Sequence, residues 1–266
     1  MNDELKKFVQ GELERITVKI STDTGFKGTG FFVMPNGYIL TAWHCIQEVE
    51  LDGNDDILIE YQDKEVFLAK LEHNKSIKSK DIAVLKIDSN YQIENCIPLE
   101  RVPKNPKGDD VISVGYPGSH RNKAGMGIYS GNITRFVDHE LEIEGAIKGQ
   151  GQSGGLLYHP ATHRIIGVVK KIYGGEEEKE TLLQDAGLAA KIDLLFSKWD
   201  ELYDMSEEIA KAWDERLAPF TAKTAVPSTK STELKTEVNP NIKANKIIGD
   251  VITIGNVTGV KELKIG

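Results

Sequence analysis

The chain has 266 residues and a mass of 29.5 kDa, and its 39% apolar and 28% charged residues give the balance of a globular protein with a core to bury, not of a disordered chain. Lysine and arginine number 33 against 41 aspartate and glutamate, and the resulting net charge of −8 argues against sequence-independent binding to nucleic acid or to an anionic lipid surface. No apolar run reaches the roughly 18 residues of a membrane span, MNDELKKFVQGELER has no apolar leader stretch, and Cys45 and Cys96 are too few for a disulfide framework, so the expectation is a soluble cytoplasmic protein with reduced thiols.

Residues 3–15 place Leu5, Phe8, Val9 and Leu13 at helical spacing among charges, which predicts a short amphipathic N-terminal helix over residues 1–15. From Ile16 the period becomes two: Ile16, Val18 and Ile20 alternate with polar residues. Gly28–Val33 then leads through the turn Pro35-Asn36-Gly37 into Tyr38–Leu40, a hairpin signal. Further strands are predicted at Ile57–Tyr61, Glu65–Leu71, Ile82–Ile87, Val111–Val114, Gly131–Phe136, Leu141–Ile143, Gly155–Tyr158, Ile165–Lys170 and Gly187–Ile192. Turn residues separate them and no long helix intervenes, the pattern of an all-β sandwich or barrel. Helical spacing returns over Ile192–Tyr203 and Met205–Leu217, the second capped by Ser206 ahead of Glu207 and Glu208 and stopped by Pro219. Residues 219–246 have little to bury and read as a linker. Residues 247–266 are β-branched and Gly-punctuated, too short for a domain, and suit a larger assembly or a longer parent chain.

Three segments carry chemistry. Thr41-Ala42-Trp43-His44-Cys45 follows a strand, Asp81 opens the apolar strand Ile82–Ile87 after the polar loop KSIKSK, and Gly149-Gln150-Gly151-Gln152-Ser153-Gly154-Gly155 precedes Leu156-Leu157-Tyr158. A serine hydroxyl needs an adjacent base to become a nucleophile, and an imidazole can take and return a proton near neutral pH. A carboxylate behind the imidazole fixes its tautomer, and glycines beside the serine let amide hydrogens converge on an oxyanion.

In that order, TAWHC, DIAVLKI and GQGQSGG resemble the chymotrypsin-fold (trypsin-like) serine peptidases, in particular the compact bacterial branch that includes the HtrA-type enzymes. GTGFFV, SVGYPG, SGNITRF and GLAAKIDLL extend the likeness over residues 16 to about 196. The resemblance implies two antiparallel six-stranded β-barrels, split near residues 100–110, with the site in the cleft between them. It implies His44 as general base, Asp81 as its orienting acid and Ser153 as nucleophile, with the Gly151 and Ser153 amides as oxyanion hole. A protein or peptide substrate follows, and no cofactor or metal. Gln152 stands where zymogen-activated relatives carry an aspartate, which argues against activation by N-terminal cleavage. Cys45 follows the histidine as in secreted relatives, but no cysteine near Gly28–Gly30 can bridge it, so a buried free thiol is expected.

The specificity pocket falls on Ile147, six residues before Ser153, and on Lys170, Lys171 and Ile172 of the lining strand. No acid at its floor supports Arg or Lys at the cleavage site, and an apolar or small residue is expected instead. Asp88, Asp109 and Asp110 compete with Asp81, but none opens a comparably apolar strand. Pro160 keeps His159 and His163 from a helical metal pair, residues 176–180 read as a solvated hairpin tip, and Trp43 reads as core. The C-terminal segment suggests that the peptidase is controlled by a regulatory partner or a tethered module. Two other readings stay open. One is a protease-fold binding or signalling module with latent or no activity. The other is a quality-control peptidase, which the lack of a recognisable PDZ-like segment disfavours.

Overall fold

A computed structural model describes residues 1–52, 57–62, 65–118, 125–172 and 186–222, all within one compact unit, Met1–Val226. The predicted hairpin tip at 176–180 and the β segment at 247–266 lie outside the described residues, as does the linker from residue 223 onward.

The alternating residues after Ile16 form strands β1 (Thr17–Thr22), β2 (Gly25–Phe32), β3 (Tyr38–Thr41), β4 (Ile57–Tyr61), β5 (Glu65–Leu71) and β6 (Ala83–Ile87). They close into an antiparallel barrel in the order β1-β2-β3-β6-β5-β4. Strands β7 (Asp110–Gly115), β8 (Gly127–Val137), β9 (Glu140–Glu144), β10 (Leu156–His159), β11 (Arg164–Ile172) and β12 (Ala186–Lys191) close a second barrel in the order β10-β11-β12-β9-β8-β7. Closure leaves neither sheet an open edge. This is the chymotrypsin fold.

Helix α1 (Asp3–Ile16) is capped by Asn2, whose side chain accepts the Leu5 amide at 2.8 Å, and it buries Leu5, Val9, Leu13 and Ile16 as one stripe. A short α2 (Gln47–Asp52) follows the histidine segment, and α3 (Asp193–Phe196) follows β12. Helix α4 (Glu201–Thr221) then runs without a break.

The predicted pair of helices, the Ser206 cap and the linker start at 219 are therefore corrected. Ser206 is buried within α4, where its hydroxyl accepts the Leu99 amide at 2.7 Å and donates to the Leu99 carbonyl at 2.8 Å. A tertiary contact thus uses the oxygen that a cap would have needed. Pro219 lies inside the last turn, at the cost of one backbone hydrogen bond. That turn is held from outside: Phe8 stacks on Phe220 at 4.6 Å between centroids, and the Asn2 side chain donates to the Phe220 carbonyl at 3.3 Å. Among the described residues no helix is long and apolar enough to cross a membrane.

Candidate active site

The antiparallel pairing of β3 with β6 aligns Thr41 with Ala83, so the residues just beyond β3 and just before β6 emerge together. His44 lies in a 3-10 turn, Trp43–Cys45, and Asp81 caps a second, Lys78–Lys80, in the left-handed region at φ 60°. The Trp43 amide donates to the Asp81 carbonyl at 3.2 Å, and the His44 amide donates to Asp81 Oδ1 at 2.9 Å. His44 Nδ1 meets Asp81 Oδ2 at 2.9 Å and Oδ1 at 3.1 Å. That contact assigns a proton to Nδ1. Burial disfavours the imidazolium, but hydrogen bonding to Asp81 and to the Cys45 thiol outweighs it and raises the His44 pKa from its ordinary 6.5 to about 10. Trp43 is buried beneath the Lys78 ammonium, 5.3 Å from the ring centroid, and belongs to the core.

Ser153 comes from the second barrel, on the loop between β9 and β10. It is half-buried, and its carbonyl accepts the Thr29 amide at 2.8 Å and the Cys45 thiol at 3.6 Å. The structure therefore brings Ser153 against the residue next to His44. The loop needs backbone shapes that only glycine takes without strain. Gly151 sits at φ 92°, where a Cβ would meet the Tyr116 carbonyl at 2.5 Å. Gly154 sits at φ 84°, where a Cβ would collide with the Thr29 carbonyl and the Thr41 hydroxyl.

Thr29 is the residue that sequence reasoning passed over. Fully buried in β2, it donates from Oγ1 to the Gly151 carbonyl at 2.7 Å and accepts the Tyr116 amide on the same oxygen at 3.0 Å. Its carbonyl accepts the Thr41 hydroxyl at 2.7 Å. One threonine thus ties the first barrel to the serine loop. The only signal was its place within GTGFFV, because its partners lie far away in sequence.

Of the predicted pocket residues, Ile147 and the backbone of Ile172 both neighbour Gly187 of β12. Ile147 is 2% exposed, packs with Leu157, Ile166 and Val169, and lies over Gly187 of β12. Lys170 is ion-paired with Glu140 at 2.7 Å, which accounts for a lysine on that strand. Lys171 and Ile172 stand opposite Leu188 and Gly187 across β11 and β12. Of the competing acids, Asp109 binds His159 Nε2 at 3.2 Å, and the His159 ring also meets Thr162 at 3.1 Å. His163 instead meets the Tyr158 hydroxyl at 2.9 Å. Cys45 and Cys96 are free and buried, and burial pushes the Cys96 thiol up to about 12.

A trypsin-like peptidase domain matches residues 28–168, more than half of the sequence. The chain belongs to the trypsin-like peptidase family. It is 32% identical over 184 residues to a probable periplasmic serine endoprotease, DegP-like, of Rickettsia prowazekii (strain Madrid E), a match covering 62% of this chain and 33% of the relative. It is 25% identical over 243 residues to the serine endoprotease DegS of Haemophilus influenzae, covering 88% of this chain and 66% of that one. The HtrA-type protease AlgW with decapeptide superposes at a TM-score of 0.55 with 18% identity, over 77% of this chain and 67% of AlgW, a likeness of fold. The chain spans about a third of the length of the DegP-like relatives it matches. Those relatives are named periplasmic, which overturns the cytoplasmic expectation. A charged, leaderless N-terminal segment is evidence about compartment only if it is the first segment synthesised, which composition does not establish.

Proposed function

We propose that the chain is a serine endopeptidase acting on peptide or protein substrates through an acyl-enzyme. Ser153 Oγ attacks the scissile carbonyl carbon while His44 Nε2 takes its proton. Asp81 holds the Nδ1 proton and stabilises the imidazolium, and the Gly151 and Ser153 amides receive the oxyanion. His44 then protonates the leaving amine, and water repeats the cycle on the ester to release the acid and regenerate the hydroxyl. No cofactor enters this sequence. The observation that carries the reading is the double contact of Asp81 with His44 Nδ1, beside a Ser153 carbonyl bound by Cys45. The family and the DegP-like and DegS relatives support it. A fluorophosphonate probe should label the purified chain, and Ser153→Ala should abolish both labelling and peptide turnover; unchanged turnover in that variant refutes the assignment.

A second reading, a peptidase held latent until His44 loses a proton, is favoured by the raised His44 pKa. An imidazolium at neutral pH cannot accept the serine proton. Labelling that climbs only as pH approaches about 10 supports latency. A midpoint near the ordinary 6.5 supports a site ready to act.

A further inference from the structure

Between β9 and β10 the chain carries Ile147, Gly151 and Ser153 outside any strand. Two amides close turns within this loop, Gln152 onto the Gly149 carbonyl at 3.3 Å and Gly155 onto the Gln152 carbonyl at 3.0 Å. The side chain of Gln152 does more. It is fully buried between Gly151 and Ser153, and all of its polar atoms have partners in the second barrel. Its Oε1 accepts the Lys148 amide at 2.8 Å, and its Nε2 donates to the Ala146 carbonyl at 2.9 Å and to Ser113 Oγ at 2.5 Å. Ser113, fully buried in β7, donates its own hydroxyl hydrogen bond to the Ala146 carbonyl. The carboxamide therefore ties both ends of the Ala146–Lys148 segment to β7, and to the residue between the two amides assigned to the oxyanion. Space around it is tight, since a Cβ on Gly115 would stand 2.9 Å from Gln152 Cγ.

We infer that Gln152 is a positioning residue that holds the Gly151 and Ser153 amides in register for the oxyanion, by a staple that carries no charge. The inference rests on the reading of Ser153 as nucleophile. Two carboxamide features are needed at once, an oxygen for the Lys148 amide and an N–H₂ for two oxygens. Methionine fills similar volume and supplies neither. An ionised glutamate keeps the acceptor but turns a second negative oxygen towards the Ala146 carbonyl. A protonated glutamic acid restores one donor.

The test uses the full chain and Gln152→Met, Gln152→Glu and Ser113→Ala variants, with fluorophosphonate labelling rate, kcat, KM and amide hydrogen exchange over residues 146–155 as readouts. Gln152→Met should lower labelling and kcat in parallel, by about 10²-fold as for a lost oxyanion donor, with KM changing far less and exchange speeding up in that segment alone. In Gln152→Glu, burial raises the carboxyl pKa, so the ratio of its labelling rate to that of the parent should rise as pH falls. Taking the ratio removes the His44 titration that both proteins share. Ser113→Ala keeps the Ala146 and Lys148 contacts and should lose less than Gln152→Met. Parental labelling in Gln152→Met, or a pH-independent ratio in Gln152→Glu, overturns the inference. Should Gln152→Met not fold, the Gln152→Glu ratio decides alone. A parent chain without Ser153-dependent labelling overturns the nucleophile assignment as well, so the two failures are told apart.

Discussion

In the first barrel, His44 and Asp81 stand on short turns at the ends of β3 and β6, and the direct pairing of those strands sets their separation. In the second, Gly151 and Ser153 stand on a loop whose position is set by side chains: Gln152 and Ser113 from within, Thr29 from the other barrel. Backbone pairing tolerates side-chain change, because every residue contributes the same amide and carbonyl. A loop fixed by a few buried polar groups does not, because each unpaired partner carries its own desolvation cost. The half of the site built on strands should therefore be robust, and the half built on the loop fragile.

The sharpest separation comes from Asp81→Asn. It should leave the fold intact and lower kcat by about 10⁴-fold through the wrong imidazole tautomer; a loss under about tenfold would place the acid elsewhere. The same variant bears on stability. Because the folded His44 pKa lies above 6.5, the pair stabilises the protein fully below pH 6.5, and that contribution is lost as pH rises through about 10. The stability difference between parent and Asp81→Asn in denaturant titrations should accordingly be largest in acid and vanish in alkali.

Gly154→Ala strikes the fragile half, combining strain at positive φ with a clash on Thr29 and Thr41, and should cost roughly 3–5 kcal/mol in chemical denaturation. Thr29→Val keeps the shape but strips the Tyr116 amide and the Gly151 carbonyl of a buried partner, for about 1–3 kcal/mol together with slower labelling of Ser153. If that variant labels at the parental rate, the loop is held by other means and the contrast between barrels fails. Cys45→Ala should act more gently, moving the His44 midpoint to lower pH by removing the thiol hydrogen bond, as read from the pH dependence of kcat/KM. Smallest of all, Arg164→Ala breaks an ion pair to the exposed Asp214 at 2.8 Å and should change stability by less than about 1 kcal/mol.

Legibility in the sequence followed the same division. Strands ending in TAWHC and beginning after Asp81 could be read because period-two burial and the chemistry adjoin in the chain. The first four residues of β8, Gly127–Ser130, were not predicted, since their half-exposed side chains give no alternation. The Ser206 contact with Leu99 and the Thr29 contact with Gly151 join residues 107 and 122 positions apart, and no local pattern records them. Ile147 was assigned to a pocket from its offset to Ser153 and Lys170 from the strand expected to line it; the structure packs Ile147 with Leu157, Ile166 and Val169 and pairs Lys170 with Glu140, contacts that no local pattern announces. Gln152 was noticed for the acid it replaces, while its partners on β7 and the preceding loop became visible only in the fold.

The contact of Asn2 and Phe8 with Phe220 also has a topological consequence. The two outermost helices of the described unit lie side by side at their free ends, so the polypeptide from residue 2 to residue 220 is almost a closed ring. A ring can be joined at that point and opened at a surface turn, or spliced whole into a host loop, without moving either barrel. The described unit is in this sense a cassette, with an entry and an exit at one place on its surface.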